Sequence, residues 1–273
     1  MKSKKLLVFL IMFVFITVLV VLNSTLFTLQ HISISWLTST INLKTMNEKE
    51  VTSLIDERGE SIFLLNKEEI SAKLEKKHPY LRVVGIETKF PNKIVIYSAE
   101  REDLYAVKIA DGDYAIIDDY GKVLSRTQTL STNSNGAVIE ARPIEVLFNN
   151  IQLNSADFLV GEQVKIKRIE EVLTKLSYTL KEANYTTLAK KGIFDSITVA
   201  NTGEGGEVGM YLTTRNGMVI NLLDAEDKMT DKFMLGLSVY NEYHQDSYSK
   251  GTIIVQYSHA EEKIIAYFDD EID

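Results

Sequence analysis

The sequence has no cysteine, three prolines and a single tryptophan among its 273 residues. The lack of cysteine excludes disulfide bonds, thiolate metal sites and cysteine nucleophiles. Because prolines are few and no low-complexity segment occurs, no long disordered stalk is predicted. The chain must therefore be held together by ordinary hydrophobic cores, and about 240 residues beyond the first apolar segment suffice for two domains of ~100–150 residues.

Negative charge is concentrated in the body of the chain. The formal net charge is −8. Because Lys2, Lys4 and Lys5 contribute +3 and residues 1–29 contain no acid, the remaining residues carry −11. A body this acidic argues against a nucleic-acid binder and against a body that lies on an anionic lipid surface. A protein or cationic partner, or simply a solvated acidic surface, is compatible with it.

Motifs for catalysis and metal binding are also missing. The four histidines share no metal-ligand spacing, and neither HExxH nor GxSxG occurs. Asp111, Asp113, Asp118 and Asp119 lie in glycine-containing turns, where aspartate serves backbone geometry rather than acid–base chemistry. The sequence therefore predicts a protein that is not an enzyme, with no catalytic residue, no metal and no cofactor.

One long apolar segment stands at the start of the chain. Leu6–Leu29 contains no charged residue, and a helix of that length spans roughly 36 Å, enough for a ~30 Å hydrocarbon core. Lysines precede it, and the next lysine is Lys44. This asymmetry predicts a single-pass protein of the cell membrane, with residues 1–5 in the cytoplasm and the rest outside. The predicted anchor residues are Leu6, Phe13, Leu19, Leu22 and Leu29.

A cleaved signal peptide is the alternative to this anchor. It shares the basic start, but its apolar part is roughly 7–15 residues long and ends in small residues. Asn23–Phe27 is a poor cleavage site, so an uncleaved anchor is favoured. A buried core helix is disfavoured because nothing polar marks a solvent face.

Hydrophobic periodicity divides the remainder into two parts. Residues 31–35 alternate as a strand, residues 47–55 and 67–77 are helical, and residues 81–90 and 93–98 are strands, which gives the order β-α-α-β-β. Asn66 is the predicted N-cap of the second helix. From Leu104 onward, short strands and Asp-Gly turns dominate, interrupted by helices over 165–181 and from Asp224 to about Tyr243. The last two strands cover 252–257 and 263–268.

Several motifs together resemble a known family. In order along the chain they are Ile62–Asn66, His78–Tyr80 with Val83-Val84, Lys89–Ile96, Ala99–Arg101, Tyr114–Gly121 and Gly251–Tyr257. Their order and spacing after one anchor are similar to the FtsQ family of bacterial cell division proteins, called DivIB in Gram-positive bacteria. The chain departs from the pattern in three places. Ser35–Ser39 lacks a glycine, Glu102 replaces a proline, and Gln256 replaces an arginine.

The resemblance implies an α+β fold. After the transmembrane helix over 6–29, it implies an FtsQ-type POTRA domain over 30–101. A mixed, mainly antiparallel β domain with flanking helices follows over 102–268, and an acidic tail over 269–273. It also implies a divisome scaffold at the division septum. The implied partners are division proteins of the FtsB/DivIC and FtsL type and, indirectly, the septal wall synthase.

The last strand is the candidate binding surface. Residues 263–268 form the final apolar strand, and a terminal strand that is also a sheet edge exposes N–H and C=O groups to which a partner strand can bind. The resemblance places partner contacts at the same end of the chain. The candidate residues are Tyr257, Ser258, Ile265, Tyr267, Phe268 and, at the start of the last helix, Lys228.

Two other functions are compatible with the sequence. A membrane-anchored enzyme acting on the cell wall would require a deep pocket lined by carboxylates. A POTRA protein of a secretion system would normally carry several POTRA repeats or a barrel, and neither is visible in the sequence.

Overall fold

The computed structural model describes residues 2–37, 48–130, 142–149, 151–185, 193–201, 208–245 and 250–270. The chain divides into two compact units, Met1–Arg101 and Glu102–Asp273. Each unit contains a hydrophobic core of its own.

The first unit begins with helix α1, which covers Lys2–Thr25 and has 24 residues. It therefore starts before the predicted Leu6, since lysine is itself a good helix former. Phe13 and Leu19 expose 62% and 50% of their surfaces, while the side chains of Leu6 and Leu22 lie outside the described part. Across the described residues, no helix is long and apolar enough to cross a membrane. The membrane span thus stays a prediction.

Leu29 was wrongly predicted to belong to the anchor. Helix α1 ends at Thr25, and Leu29 is 1% exposed within the core of the first unit. Its backbone N–H donates to the carbonyl of Glu60 at 2.8 Å, and its carbonyl accepts from Gly59 at 2.9 Å. The apolar residues after the helix end therefore belong to the folded domain, which sequence hydropathy alone cannot distinguish from an anchor.

The rest of the first unit has the predicted order of elements. The elements are β1 (His31–Trp36), α2 (Glu48–Ser53), α3 (Lys67–Lys77), β2 (Leu81–Lys89) and β3 (Lys93–Glu100). The sheet order is β1-β3-β2, with β1 parallel to β3 and β2 antiparallel to it. Asn66 caps α3 as predicted, because its side chain accepts from the N–H of Glu69 at 3.2 Å. Ile70 and Leu74 face the core.

A buried ion pair closes the end of this unit. Arg101 donates to Glu75 at 2.7 Å, and only 8% of the arginine side chain is exposed. Glu75 also accepts from the backbone N–H of Val83 at 2.8 Å. The pair joins the end of the first unit to α3 and β2, so Arg101 in the Glu-Arg motif has a structural role.

The second unit is built on one large mixed sheet. Its strands are β4 (Tyr105–Ala110), β5 (Asp113–Ile117), β6 (Val123–Thr127), β7 (Ile144–Asn149), β8 (Phe194–Asn201), β9 (Val208–Thr214), β10 (Met218–Leu222), β11 (Gly251–Ser258) and β12 (Lys263–Asp269). Their order is β12-β11-β10-β9-β8-β7-β4-β5-β6. Three neighbouring pairs are parallel, namely β4/β7, β7/β8 and β10/β11, and the other five are antiparallel. This agrees with the predicted mixed, mainly antiparallel β domain.

Two helices contribute the apolar side chains that cover one face of this sheet. They are α4 (Lys167–Glu182) and α5 (Met229–Gln245). The predicted apolar positions of α4 are buried: Ile169, Leu173, Leu176 and Leu180. Phe233, Leu237 and Tyr240 of α5 are buried in the same core. The spacing of three and four residues seen in the sequence is therefore the core-facing side of each helix.

The start of α5 and the acidic tail differ from the predictions. Asp224 and Lys228 have positive φ angles of 44° and 49°, so residues 224–228 turn and α5 begins only at Met229. The buried Lys232 stabilises this turn by donating to the carbonyls of Leu223 and Asp224 at 3.0 and 2.6 Å. At the other end of the unit, Asp269 ends β12 rather than starting a tail, and residues 271–273 lie outside the described residues.

Helix α5 lies close to the strands that it connects. A Cβ atom added to Gly236 would lie 2.6 Å from Cγ2 of Ile220 on β10 and 3.2 Å from Cγ2 of Val255 on β11. Only glycine allows the helix backbone to approach the sheet so closely. The crossover from β10 to β11 therefore depends on this position.

We expect Gly236→Ala to destabilise the chain by about 1–3 kcal/mol, because overpacking outweighs the gain in helix propensity. Gly209→Ala on β9 is the matched control, since an added Cβ there meets nothing closer than 3.8 Å. Chemical denaturation of the purified chain measures both. Equal stability of the two variants would contradict the close approach.

Candidate partner-binding edge

Strand β12 is the last strand of the large sheet. It pairs with β11 in an antiparallel register that runs from Thr252↔Asp269 to Ser258↔Lys263. Within the described ranges, no strand pairs with the far side of β12. The backbone groups on the far side of a terminal strand are available to another strand, since alternate residues direct N–H and C=O away from the sheet.

The opposite edge of the sheet is covered by the chain itself. The N–H of Val123 on β6 donates to Glu162 at 3.0 Å, and its carbonyl accepts from Gly161 at 2.8 Å. Lys122 forms a β-bridge with Gln163. The guanidinium of Arg126 donates to the carbonyls of Ser155 and Phe158 at 3.3 Å each. The two edges therefore differ, and β12 is the better candidate for binding a partner.

The inner side of β12 packs against the core. Ile264, Ala266 and Phe268 are partly buried against it. The Phe268 ring stacks on Tyr243 of α5, with centroids 4.3 Å apart and planes inclined by 22°. A Cβ on Gly251 would lie 2.5 Å from the same ring. Phe268, a predicted contact residue, thus packs against α5 and β11. Its contact with a partner stays a prediction.

The outer side of β12 carries the exposed aromatic residue. Tyr267 exposes 46% of its surface, and Ile265 lies on the same side of the strand and is half-buried. Tyr267 is paired with Ile254 of β11, which is followed across the sheet by Asn221 of β10 and Tyr211 of β9. These four side chains form a row on the outer face of the sheet, and the sequence alone did not reveal it.

Tyr257 and Ser258 lie at the end of β11, beside the turn into β12. The ammonium group of Lys228 lies 3.9 Å from the centroid of the Tyr257 ring, and the His259 ring packs edge-on against it at 5.2 Å. The Ser258 hydroxyl accepts from the N–H of Glu261 at 3.3 Å and so stabilises the turn. The structure therefore brings Lys228 and Tyr257 together, although they are 29 positions apart in the sequence.

A groove beside Lys228 was not predicted from the sequence. It has a volume of about 440 Å³ and lies between α4 and the start of α5. Its lining includes Tyr178, Glu226, Lys228 and Asp231. Arg168 donates to both carboxylate oxygens of Glu226 at 2.8 and 2.6 Å, and these hydrogen bonds raise the pKa of Arg168. The carboxylate of Glu226 in this groove is therefore paired with a guanidinium.

In the described residues, no group of three or more histidine, cysteine, aspartate or glutamate side chains could hold a metal ion.

The structure gathers the six predicted contact residues at one end of the sheet, on β11, on β12 and before α5. Their contact with a partner remains a prediction.

Similarity to known proteins defines the class of the first unit. The sequence profile described as "POTRA domain, FtsQ-type" matches residues 39–101. This range contains most of the β-α-α-β-β unit described above. The chain therefore carries an FtsQ-type POTRA domain, followed by a unit built on a large mixed sheet.

Relatives of similar length extend the comparison over both units. The chain is 27% identical over 194 residues to "Cell division protein DivIB" of Clostridium botulinum strain Hall, covering 71% of each chain. It is 25% identical over 228 residues to the protein of the same name from strain Loch Maree, covering 83% of this chain and 84% of the relative. The predicted resemblance to the FtsQ/DivIB family of bacterial cell division proteins is therefore confirmed.

The two sides of β12 should respond differently to truncation. We expect Phe268→Ala to lower the stability by about 1–3 kcal/mol, because a half-buried ring stacked on Tyr243 is lost. Tyr267→Ala, on the exposed side, should stay within about 0.5 kcal/mol of the unchanged chain. Denaturant unfolding of the two variants measures their stabilities. A larger loss of stability for Tyr267→Ala than for Phe268→Ala would show that the core-facing side of β12 is the one that carries Tyr267.

Proposed function

We propose that this protein is a non-enzymatic, membrane-anchored scaffold of the bacterial division machinery, and that its β12 edge binds partners of the FtsB/DivIC and FtsL type. Through them it links assembly of the division complex to septal peptidoglycan synthesis. The observation that carries the proposal is the end position of β12 in the sheet, with the exposed Tyr267 on its outer side. The resemblance to the FtsQ/DivIB family supports it.

Strand addition supplies both affinity and specificity at such an edge. The seven residues of β12 offer an extended strand about 20 Å long, with outward backbone groups at every second residue. Main-chain hydrogen bonds to an added strand supply affinity, and alternate side chains supply specificity. A coiled-coil partner of the FtsB/DivIC type would need a short extended segment to bind in this way.

The side chains around β12 are suited to hold such a segment. Tyr267 and Ile265 present an aromatic and an aliphatic group on the outer side, and aromatic residues dominate the energetics of protein interfaces. On the inner side, the Lys228–Tyr257 pair provides a cation fixed over a ring at 3.9 Å. A partner carboxylate beside Lys228 and an apolar residue beside Tyr267 would satisfy both groups.

Helix α1 is the proposed anchor. It is a single helix of 24 residues, and the apolar side chains of residues 8–16 and 18–20 are about half to two-thirds exposed. Exposed apolar side chains over this length are favourable in hydrocarbon and costly in water. The lysines before Leu6 place the N-terminus in the cytoplasm and both folded units outside it. The similarity to DivIB cell division proteins supports a location at the division septum.

A matched pair of tyrosines tests the edge. We expect Tyr267→Ser to weaken capture of the DivIC- and FtsL-type proteins of the same organism about tenfold or more, because an interface aromatic ring is removed. Tyr120→Ser is the control. Tyr120 is 43% exposed, close to the 46% of Tyr267, but lies near the opposite edge of the sheet.

Capture of co-expressed partners by the full-length chain in detergent provides the measurement, with denaturation curves to show that both variants are folded. Binding lost in both variants, or unchanged in both, would contradict the assignment of β12 as the docking edge.

A further inference from the structure

An exposed aromatic patch surrounds the point where α1 meets the first folded unit. Phe27 contacts Phe63, with ring centroids 5.3 Å apart, and Phe63 contacts Phe90 at 5.4 Å. Phe63, Leu64 and Phe90 expose 59%, 79% and 63% of their surfaces. We call Phe27, Phe63, Leu64 and Phe90 the aromatic collar. So many large apolar side chains exposed together mark a surface that is normally covered.

The collar is built from three separate parts of the chain. Phe27 follows the end of α1, Phe63 and Leu64 lie in the loop between α2 and α3, and Phe90 lies at the tip of the β2–β3 hairpin. The core of the unit does not need them, since its buried residues include none of the four. Folding thus brings apolar residues to the surface at one place, beside the helix end.

Backbone hydrogen bonds fix the collar close to the end of α1. The N–H of Ile62 donates to the carbonyl of Phe27 at 2.8 Å, and a β-bridge joins Thr28 to Ser61. The carbonyl of Asn92 accepts from the N–H groups of Gln30 and His31 at 2.9 and 3.1 Å. Phe27 is two residues beyond the helix end, which corresponds to only about 3–7 Å along the chain. The collar therefore lies at the level where α1 ends.

We propose that the aromatic collar inserts into the outer interfacial layer of the bilayer that α1 spans, and so seats the POTRA domain on the membrane. The proposal rests on α1 being the membrane anchor. If α1 spans the bilayer, its outer end lies at the hydrocarbon–headgroup boundary, and side chains at that level meet lipid. Aromatic rings are favourable in this layer.

The charges beside the collar are compatible with this location. Lys89 and Lys93 flank Phe90 on the hairpin and both are exposed, and the ammonium group of Lys89 is paired with Glu87. Lysine side chains can lay their apolar stems along the interface while the ammonium groups reach the phosphates. The acidic body of the chain opposes general adsorption to anionic lipid, so the contact is local and is carried by apolar side chains. It should therefore form on zwitterionic membranes.

The direction of the sheet supplies an internal control. Strands β1 and β3 run in parallel away from the collar, with His31 beside Lys93 and Trp36 beside Ser98. Val84, which is 54% exposed, lies on β2 near Ser98. Five residues of strand separate the two ends by roughly 17 Å. Val84 and Trp36 should thus lie in water when the collar lies in lipid.

The single tryptophan makes a depth measurement possible. In a full-length Trp36→Phe background, one tryptophan is introduced at a time by Phe63→Trp, Phe90→Trp, Val84→Trp or Phe13→Trp. Each chain is reconstituted into phosphatidylcholine vesicles that contain lipids brominated at shallow or deep acyl positions. We expect shallow bromines to quench the tryptophans at 63 and 90 about twofold or more, as for rings at the interface. The tryptophan at 84 should remain unquenched.

The tryptophan at position 13 tests the membrane anchor separately from the aromatic collar. Quenching there by deep bromines, with no quenching at 63 and 90, would overturn the collar while leaving the anchor intact. No quenching at 13 would overturn the anchor and the collar together. Equal quenching at 63, 90 and 84 would also overturn the collar, because it would indicate general adsorption of the unit. The exposed positions and the aromatic replacements keep the risk of misfolding low, and circular dichroism checks it.

Discussion

The position of β12 at the edge of the large sheet depends on the parallel connection between β10 and β11. Two parallel neighbours cannot be joined by a hairpin, so the chain must cross the sheet, and α5 makes this crossing. The helix lies so close to the strands that only glycine fits at position 236. Once β11 is placed beside β10, the short turn after Ser258 leaves β12 no position except the end of the sheet. The packing of one helix thus determines which strand is the edge.

The same helix also fixes which side of β12 faces outward. Tyr243 of α5 stacks on Phe268, and Lys228, just before α5, lies over Tyr257. Alternation along the strand then places Tyr267 on the opposite side from Phe268. The opposite edge of the sheet is closed by residues 161–163. The second unit therefore has one covered edge, at β6, and one edge, at β12, whose inner face packs against α5.

Sequence periodicity predicted most of the helices and strands, because each is stabilised by a local cap or turn, or by apolar side chains on one of its faces. The apolar spacing in α4, the Asn66 cap of α3 and the Asp-Gly hairpins all have the expected form. Other features depend on tertiary contacts between distant residues. The start of α5 at Met229 reflects the turn that Lys232 stabilises, and hydropathy cannot separate Leu29, a core residue, from the helix before it. The aromatic collar and the α4–α5 groove likewise arise only when separate segments meet.

Strand addition by a partner at β12, as proposed above, can be tested by amide hydrogen exchange. Exchange in the full-length chain is compared with and without the DivIC- and FtsL-type complex. If a partner strand adds to β12, the amides of β12 whose N–H groups point away from β11 become protected on binding, while the amides of β6 at the opposite edge do not change. Unchanged exchange throughout β12 in a saturated complex would contradict strand addition.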